Sequence, residues 1–266
     1  MALTTDDIRG AAAKLHQAEK TRRQIRQLSL EHPGITIADA YAIQKAWIEI
    51  KLAEGRTVRG HKIGLTSKAM QSALGIDEPD SGVLLDDMFF ADGGLVPSDR
   101  FIGTRVEAEL AFIMKHRLSG PHCTMFDVLN ATDFVVPALE ILDTRIERVD
   151  PVTKSTRKIF DTIADNAANA GIVLGGRPLR PLDADLRWIG ALCHRNGQLE
   201  ETGLAAGVLN HPATGVAWLA NKIAPLALEP GQVVLAGSFI RPIETRKGDT
   251  IQADYGPYGT VSCYFA

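Results

Sequence analysis

The chain is short of most features that mark a secreted, membrane-bound or nucleic-acid-binding protein. It carries three cysteines in 266 residues, Cys123, Cys193 and Cys263, with no CxxC spacing. Neither a disulfide framework nor a thiolate zinc site is expected, and a reducing cytoplasm suits the sequence. No apolar run approaches the ~20 residues needed to span a bilayer, so no membrane partner is expected. The opening Met-Ala-Leu-Thr-Thr-Asp-Asp has neither a basic nor an apolar stretch and reads against a signal peptide. Net charge is −3 and the basic residues form no stripe, which argues against nucleic acid as a partner. GxGxxG, Walker A, HExxH and GxSxG are all missing, so the common nucleotide, zincin and serine-hydrolase signals fall away. The seven histidines have no metal-ligand spacing. No repeat, low-complexity tract or flexible linker interrupts the chain.

What remains is an ordinary globular composition, 45% hydrophobic and 23% charged, long enough for a sizeable core. Residues 1–56 read as helical. Thr4 caps a first helix whose apolar positions Ile8, Ala11, Leu15, Ala18, Ile25 and Leu28 recur at helical spacing, until His32-Pro33-Gly34 breaks it. Thr36-x-x-Asp39 resembles a capping box for a second helix that Gly55 stops. From residue 57 to 266 the chain turns to short β-rich runs within the same compact unit. Strands are expected at Val58–Leu65, Arg105–Met114, Phe134–Leu142 and Gly171–Leu174, with a short helix from Ser67 to Leu74. Leu186–His194 and Leu199–Thr202 flank Asn196-Gly197, a hairpin signal. A helix is expected over Asn210–Ile223, with Pro212 in its first turn. Strands near 232–237, 249–255 and 260–265 follow. Strands in runs, without strict βαβ alternation, predict an α+β fold.

Charge placed where strands bury side chains is the chemical signal. Glu107 and Glu109 lie in Thr-Arg-Val-Glu-Ala-Glu-Leu-Ala-Phe, two apart, so both point to one face roughly 7 Å apart along the strand. Such a pair belongs either to a solvated face or to a cation site, because buried ionised carboxylates need a partner. Glu140, alone in the apolar Pro-Ala-Leu-Glu-Ile-Leu, tips the reading towards a hard divalent cation held by oxygen. Lys62 in Gly-His-Lys-Ile-Gly-Leu-Thr sits mid-strand, where desolvation is expected to lower its pKa. It could act as an acid or base, anchor a carboxylate, or simply snorkel to solvent. His61 faces the other side. Asp80 falls in an acidic turn, Asp161 and Asn166 in a polar stretch amid Ala and Ile. Gly237-Ser238 ends a strand where backbone N–H groups could approach an anion.

Taken in chain order, Gly60-His-Lys-Ile-Gly-Leu-Thr-Ser67, Glu78-Pro-Asp80, Val106-Glu-Ala-Glu-Leu-Ala-Phe112, Pro137-Ala-Leu-Glu140, Asp161-Thr-Ile-Ala-Asp-Asn166 and Gly237-Ser238 resemble the hydratase branch of the fumarylacetoacetate hydrolase superfamily. The landmarks span most of the chain. The resemblance implies a mixed β-roll behind an N-terminal helical segment, and a cytoplasmic homo-oligomer built from dimers, up to a decamer. It implies that Glu107, Glu109 and Glu140 hold Mg²⁺ or Mn²⁺, and that Lys62 and Asp80 manage proton transfers. The implied reaction adds water to a 2-oxo dicarboxylate, in its dienol form, from aromatic meta-cleavage catabolism. Ser238 would then hold its first carboxylate, Arg157 or His61 its second, with Asn166 and Asp161 also against substrate. Rival readings are a hydratase of the shorter monocarboxylate, a decarboxylase of a 2-oxo-3-enedioate, and a non-catalytic partner of such a decarboxylase.

Overall fold

A computed structural model describes residues 3–68, 71–72 and 76–266, so the expected helix from Ser67 to Leu74 lies partly outside the described residues. Helix α1 (Thr5–Thr21) starts at a Thr4–Asp7 capping box, and α3 (Ile37–Ala53) at a Thr36–Asp39 box. The first helix is shorter than its periodicity suggests. Arg22 turns left-handed and ends it, and Ile25 takes its hydrogen bonds from the 145–147 segment instead. The expected stripe resumes in a separate short helix, α2 (Leu28–Glu31). Leu15, Leu28, Ile43 and Trp47 from these helices share an apolar cluster with Ile146, Ile163 and Ala164. The helical segment therefore packs onto the β-rich part through the helix Ile159–Ala164.

Among the described residues, fifteen strands follow in chain order. The first eight are β1 (Val58–Gly64), β2 (Asp80–Leu85), β3 (Phe89–Phe90), β4 (Gly94–Val96), β5 (Arg105–Met114), β6 (Leu118–Ser119), β7 (Thr132–Leu142) and β8 (Asn169–Leu174). The others are β9 (Gly190–Arg195), β10 (Gln198–Leu204), β11 (Ala227–Leu228), β12 (Val233–Ser238), β13 (Ile243–Glu244), β14 (Thr250–Asp254) and β15 (Thr260–Phe265). The larger sheet runs β2-β1-β12-β5-β7-β8-β3, with β13 also on β5; the second runs β10-β9-β14-β15-β4. Parallel pairs β1/β12, β3/β8 and β4/β15 sit among antiparallel ones. Mixed sheets without strict βαβ alternation bear out the α+β reading. The Asn196-Gly197 hairpin also holds, both residues having positive φ as a type I′ turn requires. The helix expected from Asn210 begins at Pro212, because Leu209 and Asn210 are left-handed.

Strand alternation decides which face carries chemistry. Leu110 and Phe112 of β5, Val135 and Leu139 of β7, and Ile63 of β1 join Ile251, Val261, Cys263 and Phe265 in the core between the sheets. Residues one step out of phase, Ala111, Ala138, Leu84 and Leu235, form a second cluster on the opposite face. Glu107, Glu109, Glu140 and Asp80 are in phase with that second set.

Candidate metal centre

Antiparallel register places Glu107 of β5 directly opposite Glu140 of β7. Glu109, two residues on, stays on the same face, and one carboxylate oxygen from each of the three lies within 4.8 Å of the others. Glu109 and Glu140 are 1% and 0% exposed, whereas Glu107 is half-buried. Both oxygens of Glu140 and Oε1 of Glu109 are buried without a hydrogen-bond partner. The other Glu109 oxygen accepts from the Gly237 N–H at 2.8 Å. Buried, unpaired, converging carboxylate oxygens fit a hard divalent cation.

The protein alone resists ionising this set. Burial and then Glu140 push Glu107 up to about 8. Burial, Glu140 and Glu107 hold Glu109 well above the usual carboxylate range. Burial also raises Glu140, against the pull of Lys62.

Lys62 reaches the group from β1. Its Nζ lies 3.3 Å from Glu140 Oε1 and donates to the Ala167 carbonyl at 3.1 Å. Its expected pKa drop is not what the structure gives. Burial does favour the neutral amine, but Glu140, Asp80, Glu107 and Glu109 together outweigh it and raise the pKa. Asp80 pairs with Gly64 across β1/β2, and a Cβ at Gly64 would collide with Asp80 Oδ1 and crowd Lys62 Nζ. Glycine there lets the two charged groups meet. Neither Asp80 oxygen accepts a hydrogen bond of ordinary geometry, and burial raises its pKa against Lys62 and Arg157.

The remaining candidate residues divide. Arg157 lies near enough to Asp80 to favour its ionised form, and donates to Thr144 Oγ1 at 2.8 Å. His61 is pushed down to about 4 by burial, so it has no charge to offer a carboxylate near neutrality. Ser238 lies opposite Glu109, but its hydroxyl donates to the Ile240 carbonyl at 2.9 Å. Asn166 spends its amide on the backbone of Val83, accepting at 2.7 Å and donating at 2.9 Å. Asp161 accepts from Ser29 N, Ser29 Oγ and Lys158 N, and so ties the helix it caps to α2. Asn166 and Asp161 are thus bound into the scaffold rather than presented to a ligand.

Several supporting groups have no local sequence signal. The Tyr255 hydroxyl, buried beneath β5 and β7, accepts from Glu109 N at 3.1 Å and donates to the Ala138 carbonyl at 2.7 Å. Asn166, Ala167 and Ala168 are all left-handed, with φ of 53°, 51° and 59°. That conformation costs ~1–2 kcal/mol per non-glycine residue, and it brings the Ala167 carbonyl to Lys62. Arg145 and Asp165, 1% and 0% exposed at their side chains, pair at 2.5 Å just behind the turn. A surface groove of about 770 Å³ lies elsewhere, beside Trp188, Leu192, Leu204 and Tyr258.

No family model matches the chain. Individual proteins do. The 2-oxo-hept-4-ene-1,7-dioate hydratase of Escherichia coli is 63% identical over 256 residues, 96% of each chain. The solved structure of 4-oxalocrotonate decarboxylase from Pseudomonas putida G7, complexed with magnesium and adipate, matches with a TM-score of 0.93 and 33% identity over 99% of both chains. Fumarylpyruvate hydrolase from Pseudomonas aeruginosa, in complex with Mn²⁺ and pyruvate, shares the fold at a TM-score of 0.60 and 15% identity, over 78% of this chain and 89% of its own. With its fold, its three converging glutamates and identity running the length of both chains, the protein belongs to the hydratase and decarboxylase family of the fumarylacetoacetate hydrolase fold.

Proposed function

We propose that the chain is a divalent-metal-dependent hydro-lyase that adds water to 2-oxohept-4-ene-1,7-dioate, giving 4-hydroxy-2-oxoheptane-1,7-dioate. The observation that carries this is the 63% identity to the Escherichia coli hydratase over 96% of both chains. The magnesium and adipate, a dicarboxylate, in the Pseudomonas putida G7 relative support both the cation and a substrate with two carboxylates.

A cation held by Glu107, Glu109 and Glu140 would supply Lewis-acid stabilisation of negative charge on the substrate's C2 oxygen. The chain's other residues handle protons. In the dienol form, loss of the C2 hydroxyl proton and protonation of C5 give the conjugated 3-ene ketone. Water then adds through oxygen at C4, its proton passing to a base, while C3 receives a proton. Asp80 would accept and return a proton, a role supported by its two unsatisfied oxygens and raised pKa. Lys62, kept protonated by the surrounding carboxylates, is the donor beside it. Each such role is worth about 10²–10⁴-fold in rate. The Gly237 N–H and the Tyr255 hydroxyl hold Glu109 in place, and the Ala167 carbonyl fixes the Lys62 ammonium.

The exposed Trp188, Leu192 and Leu204 beside the surface groove support self-association into a homo-oligomer. No helix among the described residues is long and apolar enough to cross a membrane. The test is an ultraviolet assay with the seven-carbon dienoate and Mg²⁺, because hydration destroys the conjugated chromophore. EDTA-sensitive bleaching is expected; CO₂ release from 4-oxalocrotonate without bleaching of the dienoate would instead make the chain a decarboxylase.

A further inference from the structure

The carboxylate site is closed around Glu109 and Glu140 and opens on the side of the half-buried Glu107. Arginines that the proton chemistry does not use gather there. Arg105 precedes Glu107 by two residues on β5 and shares its face, and its charge favours ionised Glu107. Arg148 and Arg157 face each other across the turn that follows β7, where Arg157 N donates to the Arg148 carbonyl at 2.9 Å and Val149 bridges Thr156. Arg157 in turn feels the charge of Asp80, though less than those of Asp165 and Asp161. The three cations sense one another: after burial, repulsion from Arg105 and Arg157 brings Arg148 down to about 10.

The acidic neighbours of Arg105 and Arg148 do not satisfy them. Arg105 pairs at 2.5 Å with Glu244, which is largely solvent-exposed. Asp143 also faces Arg148, yet its oxygens already accept from Ile102 N at 3.0 Å and Gly103 N at 2.8 Å. Nε of Arg105 and Nε of Arg148 are both buried without an acceptor. Arg145, three residues away, shows what a matched guanidinium looks like in this fold: Asp165, the Asp165 carbonyl and the Asn169 carbonyl take its donors. Unmet buried guanidinium donors call for an anionic acceptor, and a carboxylate fits their planar fork.

We propose that Arg105, Arg148 and Arg157 bind the second, distal carboxylate of the substrate and make the site selective for 2-oxo dicarboxylates over monocarboxylates of equal length. This rests on the reading that the 2-oxo acid end sits at the glutamates. Because the substrate's tail must leave on the open side, its far carboxylate meets the arginines as its head meets the metal centre.

The test is calorimetric binding of 2-oxoheptanedioate and 2-oxoheptanoate to the full-length, Mg²⁺-loaded protein, in parallel with the dienoate assay. The wild type should prefer the dicarboxylate. Arg148→Gln should reduce that preference about ten- to a hundredfold, the loss expected for a charge-assisted hydrogen-bonding partner. Arg148→Lys should restore part of it, and Arg105→Gln, on the open rim, serves if Arg148→Gln fails to fold. Equal loss of affinity for both acids, or an unchanged preference, overturns the proposal. A wild type that hydrates the dienoate but binds both acids equally overturns it alone. A preference lost in Arg148→Gln, with no dienoate turnover in the wild type, upholds it and removes the hydratase reading.

Discussion

Loading the site with a divalent cation should expel protons, and the number follows from the electrostatics of the glutamates. Glu107 is held up to about 8 by burial and Glu140. Near pH 7 roughly nine-tenths of the metal-free molecules therefore carry a proton there. Glu109 is likewise held well above the usual carboxylate range by burial, Glu140 and Glu107. A cation binds the ionised carboxylates, so its arrival near pH 7 should release about one proton from Glu107. By linkage, affinity should weaken about tenfold for each pH unit lowered below neutrality. Stability moves in the matching sense. A carboxyl whose folded pKa is raised stabilises the fold at pH below its ordinary value of 4.5, and that contribution is lost as pH climbs towards about 8. The thermal shift produced by Mg²⁺ should therefore grow across this window. Titration calorimetry in two buffers of different ionisation enthalpy counts the protons directly. Affinity independent of pH, with no proton release, would refute the burial and mutual repulsion described for these glutamates.

Three further outcomes follow from individual contacts. Lys62→Met should lower kcat about 10²–10⁴-fold while Mg²⁺ binding by calorimetry persists, since it removes the proposed proton donor and no oxygen ligand; a rate within tenfold of wild type would rule out the donor role. Gly237→Ala puts a Cβ against the Thr66 side chain at a φ of 116°, displacing the N–H that holds Glu109, so weaker Mg²⁺ binding is expected. Asp165→Ala leaves Arg145 buried without its carboxylate and should cost about 3–5 kcal/mol in urea unfolding; a change below about 1 kcal/mol would show that the segment relaxes to water.

The glutamate triad was legible because strand alternation alone puts Glu107 and Glu109 on one face, and Glu140 breaks an apolar run. The helix lengths were less so. Ile25 keeps the helical spacing of α1, yet its hydrogen bonds go to residues 145–147, a competition that only the distant strand end reveals. Lys62 shows the same limit in electrostatics. Its burial was foreseeable, but the sign of its shift depends on four carboxylates brought in by β2, β5 and β7. Asn166 and Asp161 looked chemical because they are polar amid alanine and isoleucine; they are structural because Val83, Ser29 and Lys158 offer them backbone and hydroxyl partners. The left-handed Asn166–Ala168 turn has no glycine to announce it.

The parallel pairing of β1 with β12, which joins Gly60 to Val233, also sets the order in which the protein can mature. β12 is the strand between β1 and β5, and it brings the Gly237 N–H that holds Glu109. A nascent chain that has not yet released residue 238 already carries all three glutamates. It lacks the strand that sets Lys62 beside Glu140. Closing so distant a pairing is slow and belongs late in folding. Cation capture is therefore expected only once β12 has joined the sheet, and a fragment ending before β12 should bind Mg²⁺ no better than an unfolded acidic peptide.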